Sequence, residues 1–180
     1  MDNLKICERC DTMRKFEKVS RIAEDIKLPQ RSTTNSAGYD FFAIEDVEIK
    51  PIEYIVHTKT DMFGNVGAVV LHENIKPTMV KTGVKVKMPE DEFLMLVNRS
   101  SNPVKLGLVV PNGVGIIDAD YYNNTDNEGE IMFAFYNLTN DTVIIKKGEK
   151  LGQGIFMKYH TVEDDNTTGT REGGFGSTGK

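Results

Sequence analysis

Asp118 and Asp120 stand one residue apart where the apolar run "VGII" ends inside "PNGVGIIDADYY", residues 111–122. On a regular strand two such carboxylates point to the same side. They can then hold a metal together, although their mutual repulsion favours separate tasks or a break in regular geometry. An aspartate bonded to a water can orient that water and accept its proton. Tyr121 beside them adds an aromatic face with a polar tip. The plainer alternative is a charged strand end opening into the "NNTDNEG" loop.

Three further polar islands carry comparable chemistry. "NSAGYDFFA" at 35–43 sets Asp40 after a small-residue turn. There it is either an Asx-turn residue or a carboxylate for a divalent ion and its waters. "NRSSNP" at 98–103 offers Arg99, whose rigid fork suits phosphate oxygens, beside the short hydroxyl donor of Ser100. A turn with a surface arginine accounts for the same residues. "KKGEKLGQGIFMKY" at 146–159 holds Lys150, a countercharge for phosphate, and Gln153, an amide for a ligand or a metal-bound water. Solvated lysines around a glycine turn are the bland reading of that stretch. The last eleven residues, "TREGGFGSTGK", have too little to pack for a core of their own. Their glycines let backbone N–H groups converge on an anion, Phe175 can stack on a flat ring, and Arg171 can reach phosphate. Such an arm orders over a bound nucleotide, and the competing reading is a frayed terminus. It is no Walker loop, since the lysine and the following helix are missing.

The elements that must position these groups read as β-structure. "VKVKM" alternates Val84, Val86 and Met88 with two lysines, the period of a half-buried strand. "FLMLV" at 93–97, "GLVV" at 107–110, "IMFAF" at 131–135, "TVII" at 142–145 and "GIFMKY" at 154–159 are short apolar runs separated by turn residues. Many short strands without a helical period predict an all-β sandwich or jelly roll. The 180 residues fit one domain, 1–180. Within it, residues 1–30 are a segment whose helix or strand character stays open, and 164–180 a mobile arm. With 22 Lys plus Arg against 27 Asp plus Glu, the net charge of -5 argues against a nucleic-acid duplex as partner. Cys7 and Cys10 form a lone "CERC", either incidental or structural, or else redox-active or half a zinc site. No apolar segment resembles a signal peptide or a membrane span, so a cytoplasmic setting is expected.

Five stretches in order, "AGYDFFA", "NRSS", "NGVGIIDADYY", "GEKLGQ" and "GGFGSTG", make residues 35–180 resemble the trimeric deoxyuridine triphosphatase family. The resemblance implies a jelly-roll-like β fold with a flexible glycine-rich C-terminal arm. It implies a homotrimer with sites at subunit boundaries, and Mg²⁺-dependent conversion of dUTP and water to dUMP and pyrophosphate. That reaction supplies dUMP and limits uracil incorporation into DNA. In this correspondence Asp118 positions the attacking water, while Asp40 and Gln153 meet the metal through its waters. Arg99, Ser100 and Lys150 serve the phosphates, and Asn112 lies in the uracil-binding hairpin. Tyr121 packs beneath deoxyribose and leaves no room for a 2′-hydroxyl. Phe175 closes over the base, with Arg171, Gly173, Gly174, Gly176, Ser177 and Thr178 around the phosphates. Departures are Lys150 where arginine is common, Arg171 one residue nearer the glycines, "NRSSNP" in the second motif, and a long "YYNNTDNEGE" connection. A deaminase acting on deoxycytidine nucleotides, a non-enzymatic nucleotide-binding trimer and a regulatory protein partner are the other expectations.

Overall fold

The computed structural model describes residues 13–52, 55–71, 76–169, 171 and 173. Cys7 and Cys10 lie outside the described residues, as do Gly174, Phe175, Gly176, Ser177 and Thr178 of the tail. Fourteen strands carry the architecture among the described residues, with two short helical turns, so the all-β expectation is met. The first seven strands are Lys15–Lys18 (β1), Gln30–Arg31 (β2), Tyr39–Phe42 (β3), Val47–Ile49 (β4), Ile55–Thr60 (β5), Val66–Leu71 (β6) and Thr78–Lys81 (β7). The rest are Val84–Lys87 (β8), Glu92–Asn98 (β9), Leu108–Val109 (β10), Val114–Asp118 (β11), Met132–Asn137 (β12), Val143–Ile145 (β13) and Lys150–Lys158 (β14).

The largest sheet runs β11-β9-β14-β3-β2, and a three-stranded sheet runs β10-β12-β7. Their inward residues meet in one core: Phe41, Leu94, Leu96, Ile117 and Leu151 from the first, Val80, Leu108, Phe133 and Phe135 from the second. β8 keeps the alternation read from the sequence, with Val84 and Val86 buried and Lys87 exposed. The continuous apolar run in β9 has a different cause. This strand lies between β11 and β14, so Leu94 and Leu96 are buried on one face and Phe93, Met95 and Val97 half-buried on the other.

Within the segment left open between helix and strand, Lys15–Lys18 form a strand. β1 pairs antiparallel with β8, Lys15 opposite Lys87 and Lys18 opposite Val84. Phe16 supplies the anchor, edge-on to Phe41 at 5.5 Å and to Tyr39 at 5.3 Å between ring centroids. The same segment satisfies two buried acids, Arg14 pairing with Glu92 and Arg21 with Glu130. Either carboxylate, stripped of its arginine, would be a charge left in a poorly polarisable interior. A β5–β6 hairpin also forms beyond the strands assigned from sequence. Asp61 shapes its turn by accepting the N–H bonds of Phe63 and Asn65, both at 2.9 Å.

The N-terminal segment is also fastened to the loop after the second helical turn. Ser20 donates its hydroxyl and its backbone N–H to the Glu128 carboxylate at 2.6 and 3.0 Å, and Lys85 stands 3.3 Å from it. The Ser20 hydroxyl, the Ser20 N–H and the Lys85 ammonium hold the Glu128 carboxyl down to about 2 from 4.5. A carboxyl depressed in the folded chain stabilises it above its unfolded value and ceases to do so as pH falls toward the folded one. In thermal melts, Glu128→Gln is therefore less stable than the parent at neutral pH, and the gap closes as pH drops from 4.5 to about 2. A gap constant over that interval contradicts the contact. No helix among the described residues is long and apolar enough to cross a membrane.

Candidate active site

Asp40 sits in β3 opposite Gln153 of β14 and Gln30 of β2. Its carboxylate is buried and fully engaged on one oxygen. Oδ2 accepts from the Ser32 hydroxyl at 2.6 Å and the Lys150 ammonium at 2.5 Å, and Oδ1 accepts from the Gln153 amide at 3.0 Å. Burial pushes the Asp40 carboxyl up, but the bonds from Lys150, Ser32 and Gln153 outweigh it and hold it below its ordinary 3.8. Gln153 comes this close because position 38 is glycine; a Cβ there would lie 3.0 Å from the Gln153 side chain. The first and fourth motifs thus meet through strand pairing, and Ser32, which sequence reasoning missed, joins them. Its only signal is the hairpin register that brings residues 30 and 31 back across 40 and 39.

Arg99 and Ser100 follow the end of β9 at the same edge. The Arg99 guanidinium donates to the Lys150 carbonyl at 3.1 Å, and Ser100 is exposed. "NRSSNP" is more than a turn: Asn102–Leu106 make one wide helical turn, with Pro103 at its start and Gly107 left-handed at its end. Buried Asn102 pins it, donating its amide to Asn98 Oδ1 at 2.8 Å and to the Leu151 carbonyl at 2.7 Å. Asn102 is the second missed residue. A polar side chain before proline gives it no distinctive mark.

The third motif lies elsewhere. β11 pairs with β9 so that Val114 faces Val97 and Asp118 faces Phe93. Regular strand geometry ends at Asp118, and Ala119–Tyr121 form a tight helical turn, the break that paired carboxylates favour. Both acids nevertheless meet one cation. Arg171 donates from Nη2 to Asp118 at 2.5 Å and from Nε to Asp120 at 2.9 Å. Its guanidinium also stands 5.7 Å from the Tyr121 ring centroid, a cation–π distance. Arg171, expected at phosphate, is placed on the carboxylates; Gly173 is buried nearby in sequence.

Tyr121 is only 4% exposed. Its hydroxyl donates to the Glu130 carbonyl at 3.1 Å and accepts from the Asn127 amide at 2.8 Å. Burial raises its phenol above the ordinary 10.0. Asn112 is exposed at the tip of the hairpin entering β11, where Gly113 takes a φ of 71°. Behind that hairpin a recess of about 160 Å³ is lined by Asn112, Gly115, Ile116, Leu96 and Phe133. An open groove of about 620 Å³ runs beside Asp118, between Lys87, Phe93, Tyr122 and Tyr159.

The residues therefore form two sets at opposite ends of one sheet. Five residue steps along β9 lead from Phe93, opposite Asp118, to Asn98, next to Arg99. At strand rise that is roughly 17 Å. One set carries cationic and amide donors with a single buried acid. The other carries two carboxylates and an aromatic ring, and the Asn112 hairpin with its recess enters β11 opposite Val97, nearer the first set.

Other proteins are similar in sequence and in fold. The dUTPase family profile matches residues 65–179. The deoxyuridine 5'-triphosphate nucleotidohydrolase of Lactococcus lactis subsp. lactis (strain IL1403) is 41% identical over 170 residues, 93% of this chain and 98% of its own length. The crystal structure of the dUTPase from Streptococcus mutans superposes with a TM-score of 0.66 at 37% identity, over 82% of this chain and 98% of that one. A mutant dUTPase from phage phi11 of S. aureus, in which a structural Mg(II) ion is coordinated, shares the fold with a TM-score of 0.60 at 22% identity, over 88% of this chain and 98% of that one. With the profile covering well over half of the sequence and a curated relative aligned along nearly all of it, the chain belongs to the dUTPase family.

Proposed function

We propose that the protein hydrolyses dUTP to dUMP and pyrophosphate, with Mg²⁺ on the triphosphate, at sites that two or more copies build together in a homotrimer. The observation that carries this reading is the division of the chemistry. Asp118 lies roughly 17 Å along β9 from the end that bears Arg99 and Ser100. No single chain can apply both to one phosphorus. A second copy, presenting its Arg99 end to the first copy's Asp118, completes the set, and a cyclic arrangement repeats it.

The donor set fits Mg²⁺ held mainly by phosphate oxygens and water. Among the described residues no three His, Cys, Asp or Glu side chains gather as a cage. Asp40 Oδ1, with one bond from Gln153, keeps a lone-pair direction suited to a water in the ion's shell. When bound, Mg²⁺ offsets triphosphate charge and helps align it.

The chain's own residues do the rest. Arg99 and Lys150 neutralise phosphate oxygens, and Ser100, exposed at its turn, donates near the α-to-β bridge. Asp118 orients a water and takes its proton as the water oxygen bonds to the α-phosphorus. The bond from that phosphorus to the bridging oxygen breaks, and pyrophosphate leaves. Arg171, paired with Asp118 and Asp120 in this structure, transfers to the more concentrated charge of the triphosphate and frees Asp118 to act. The Asn112 hairpin, with its recess behind, takes uracil, and Tyr121 packs against deoxyribose. Phe175 and the glycines around it close over the base.

The test is a steady-state assay of dUTP, dCTP, dTTP and UTP with and without Mg²⁺, with nucleotide and pyrophosphate measured separately. Selective, metal-dependent release of dUMP and pyrophosphate from dUTP is expected. Ammonia from dCTP, or dUTP bound without product, replaces this reading with a deaminase or a binding protein.

A further inference from the structure

The connection after Tyr121 is longer than the resemblance leads one to expect, and the structure gives the added residues a common object. Asn124 accepts the N–H bonds of Asp126 and Asn127 on its side-chain oxygen at 3.0 and 3.1 Å. Its amide donates to the Tyr121 carbonyl at 3.0 Å and to Asn127 Oδ1 at 2.9 Å. Asn127 Oδ1 also accepts from the Gly129 N–H at 3.0 Å. With its oxygen so occupied, Asn127 turns its amide to the Tyr121 hydroxyl at 2.8 Å and, at 3.5 Å, to the Glu130 carbonyl. The Tyr121 hydroxyl in turn donates to the Glu130 carbonyl. Gly129, at a φ of 80°, lets the loop close on Tyr121; a Cβ there would stand 2.5 Å from the Tyr121 carbonyl oxygen. Outside, Ser20 and Arg21 fasten the loop through Glu128 and the Asn127 carbonyl.

We infer that Asn127 is a positioning residue for sugar selection: by fixing the Tyr121 ring through its hydroxyl, it sets how strictly the site refuses a 2′-hydroxyl. This rests on the reading of Tyr121 as the surface beneath deoxyribose. Packing alone rejects an added hydroxyl only modestly, by about a hundredfold. Such rejection depends on the wall staying still, and a ring free to tilt makes room. One hydroxyl bond from Asn127 and one to Glu130 remove that freedom, while Asp118 and the phosphate donors stay untouched.

The experiment compares kcat/KM for dUTP and UTP in the full chain, in Asn127→Ala, in Tyr121→Phe and in the double variant. Asn127→Ala should lower the dUTP-to-UTP ratio about tenfold, the scale of one hydrogen bond. Its kcat on dUTP should stay within about threefold, because the reacting groups are unchanged. Tyr121→Phe keeps the ring and removes its hydroxyl, so it should lower the ratio similarly, and adding Asn127→Ala to it should change little. An unaltered ratio in Asn127→Ala, or an equal further loss in the Tyr121→Phe background, overturns the inference. If Asn127→Ala does not fold, Tyr121→Phe decides alone, and an unaltered ratio there overturns it. A wild-type enzyme that takes UTP as readily as dUTP sinks the sugar reading of Tyr121 and the inference together. A selective wild type with an equally selective Asn127→Ala sinks the inference only.

Discussion

Asp118→Asn should cut kcat on dUTP by about a thousandfold, the scale of a lost general base, with KM changed by no more than about threefold. The side chains are nearly the same size, so the end of β11 and its pairing to Phe93 persist. What changes is chemical. An amide can hold a water but cannot take its proton, and its N–H group turns a donor toward the water instead of a second acceptor. Folding should survive. Asp118 is half exposed, and Arg171 keeps its bond to Asp120 when the bond to Asp118 goes. A pair with its carboxylate half exposed contributes on the order of 1 kcal/mol. A purified Asp118→Asn protein with near-wild-type turnover, measured by pyrophosphate release, would falsify the role given to Asp118.

Mixing two dead variants should restore activity. Arg99→Ala damages the donor end of the sheet and Asp118→Asn damages the other, and each alone is expected to be nearly inactive. In a mixed trimer, a site that draws its donors from an Asp118→Asn copy and its carboxylate from an Arg99→Ala copy is intact. Random assembly in equal amounts leaves one such site in each mixed trimer, which amounts to roughly a quarter of wild-type activity. Arg99→Ala mixed with Gln153→Ala is the control, because both lesions fall on the same half and no arrangement repairs it. Recovery in the first mixture and none in the second is the expected pattern. No recovery in either means that one chain holds the whole site, and the division along β9 is then irrelevant to catalysis.

The candidate residues could be named from the sequence, but their pairings could not. Val84 and Val86 could be assigned to a strand because alternation is a local property. Phe16 could not be placed between helix and strand, since its conformation is settled by β8 alongside and by Phe41 beneath it. Asp40 and Gln153 could be named from their motifs, and the bond between them follows only once β3 and β14 are in register. Ser32, Asn102 and Asn127 have common residue types and reveal their parts only through contacts. Arg171 shows the limit of motif reasoning most clearly. Its charge suits phosphate and carboxylate alike, and the structure sets it on Asp118 and Asp120. The β5–β6 hairpin escaped although Gly64 takes a φ of 83° in its turn, because a lone glycine is a weak signal and the Asp61 bonds to the Phe63 and Asn65 N–H groups appear only in the fold.

Residues 118–130 are gripped from both directions of the chain: Ser20 and Arg21 hold the loop, and Arg171 holds the acids in front of it. A change at either of these two segments therefore reaches the same short turn, so residues far apart in sequence share one clasp.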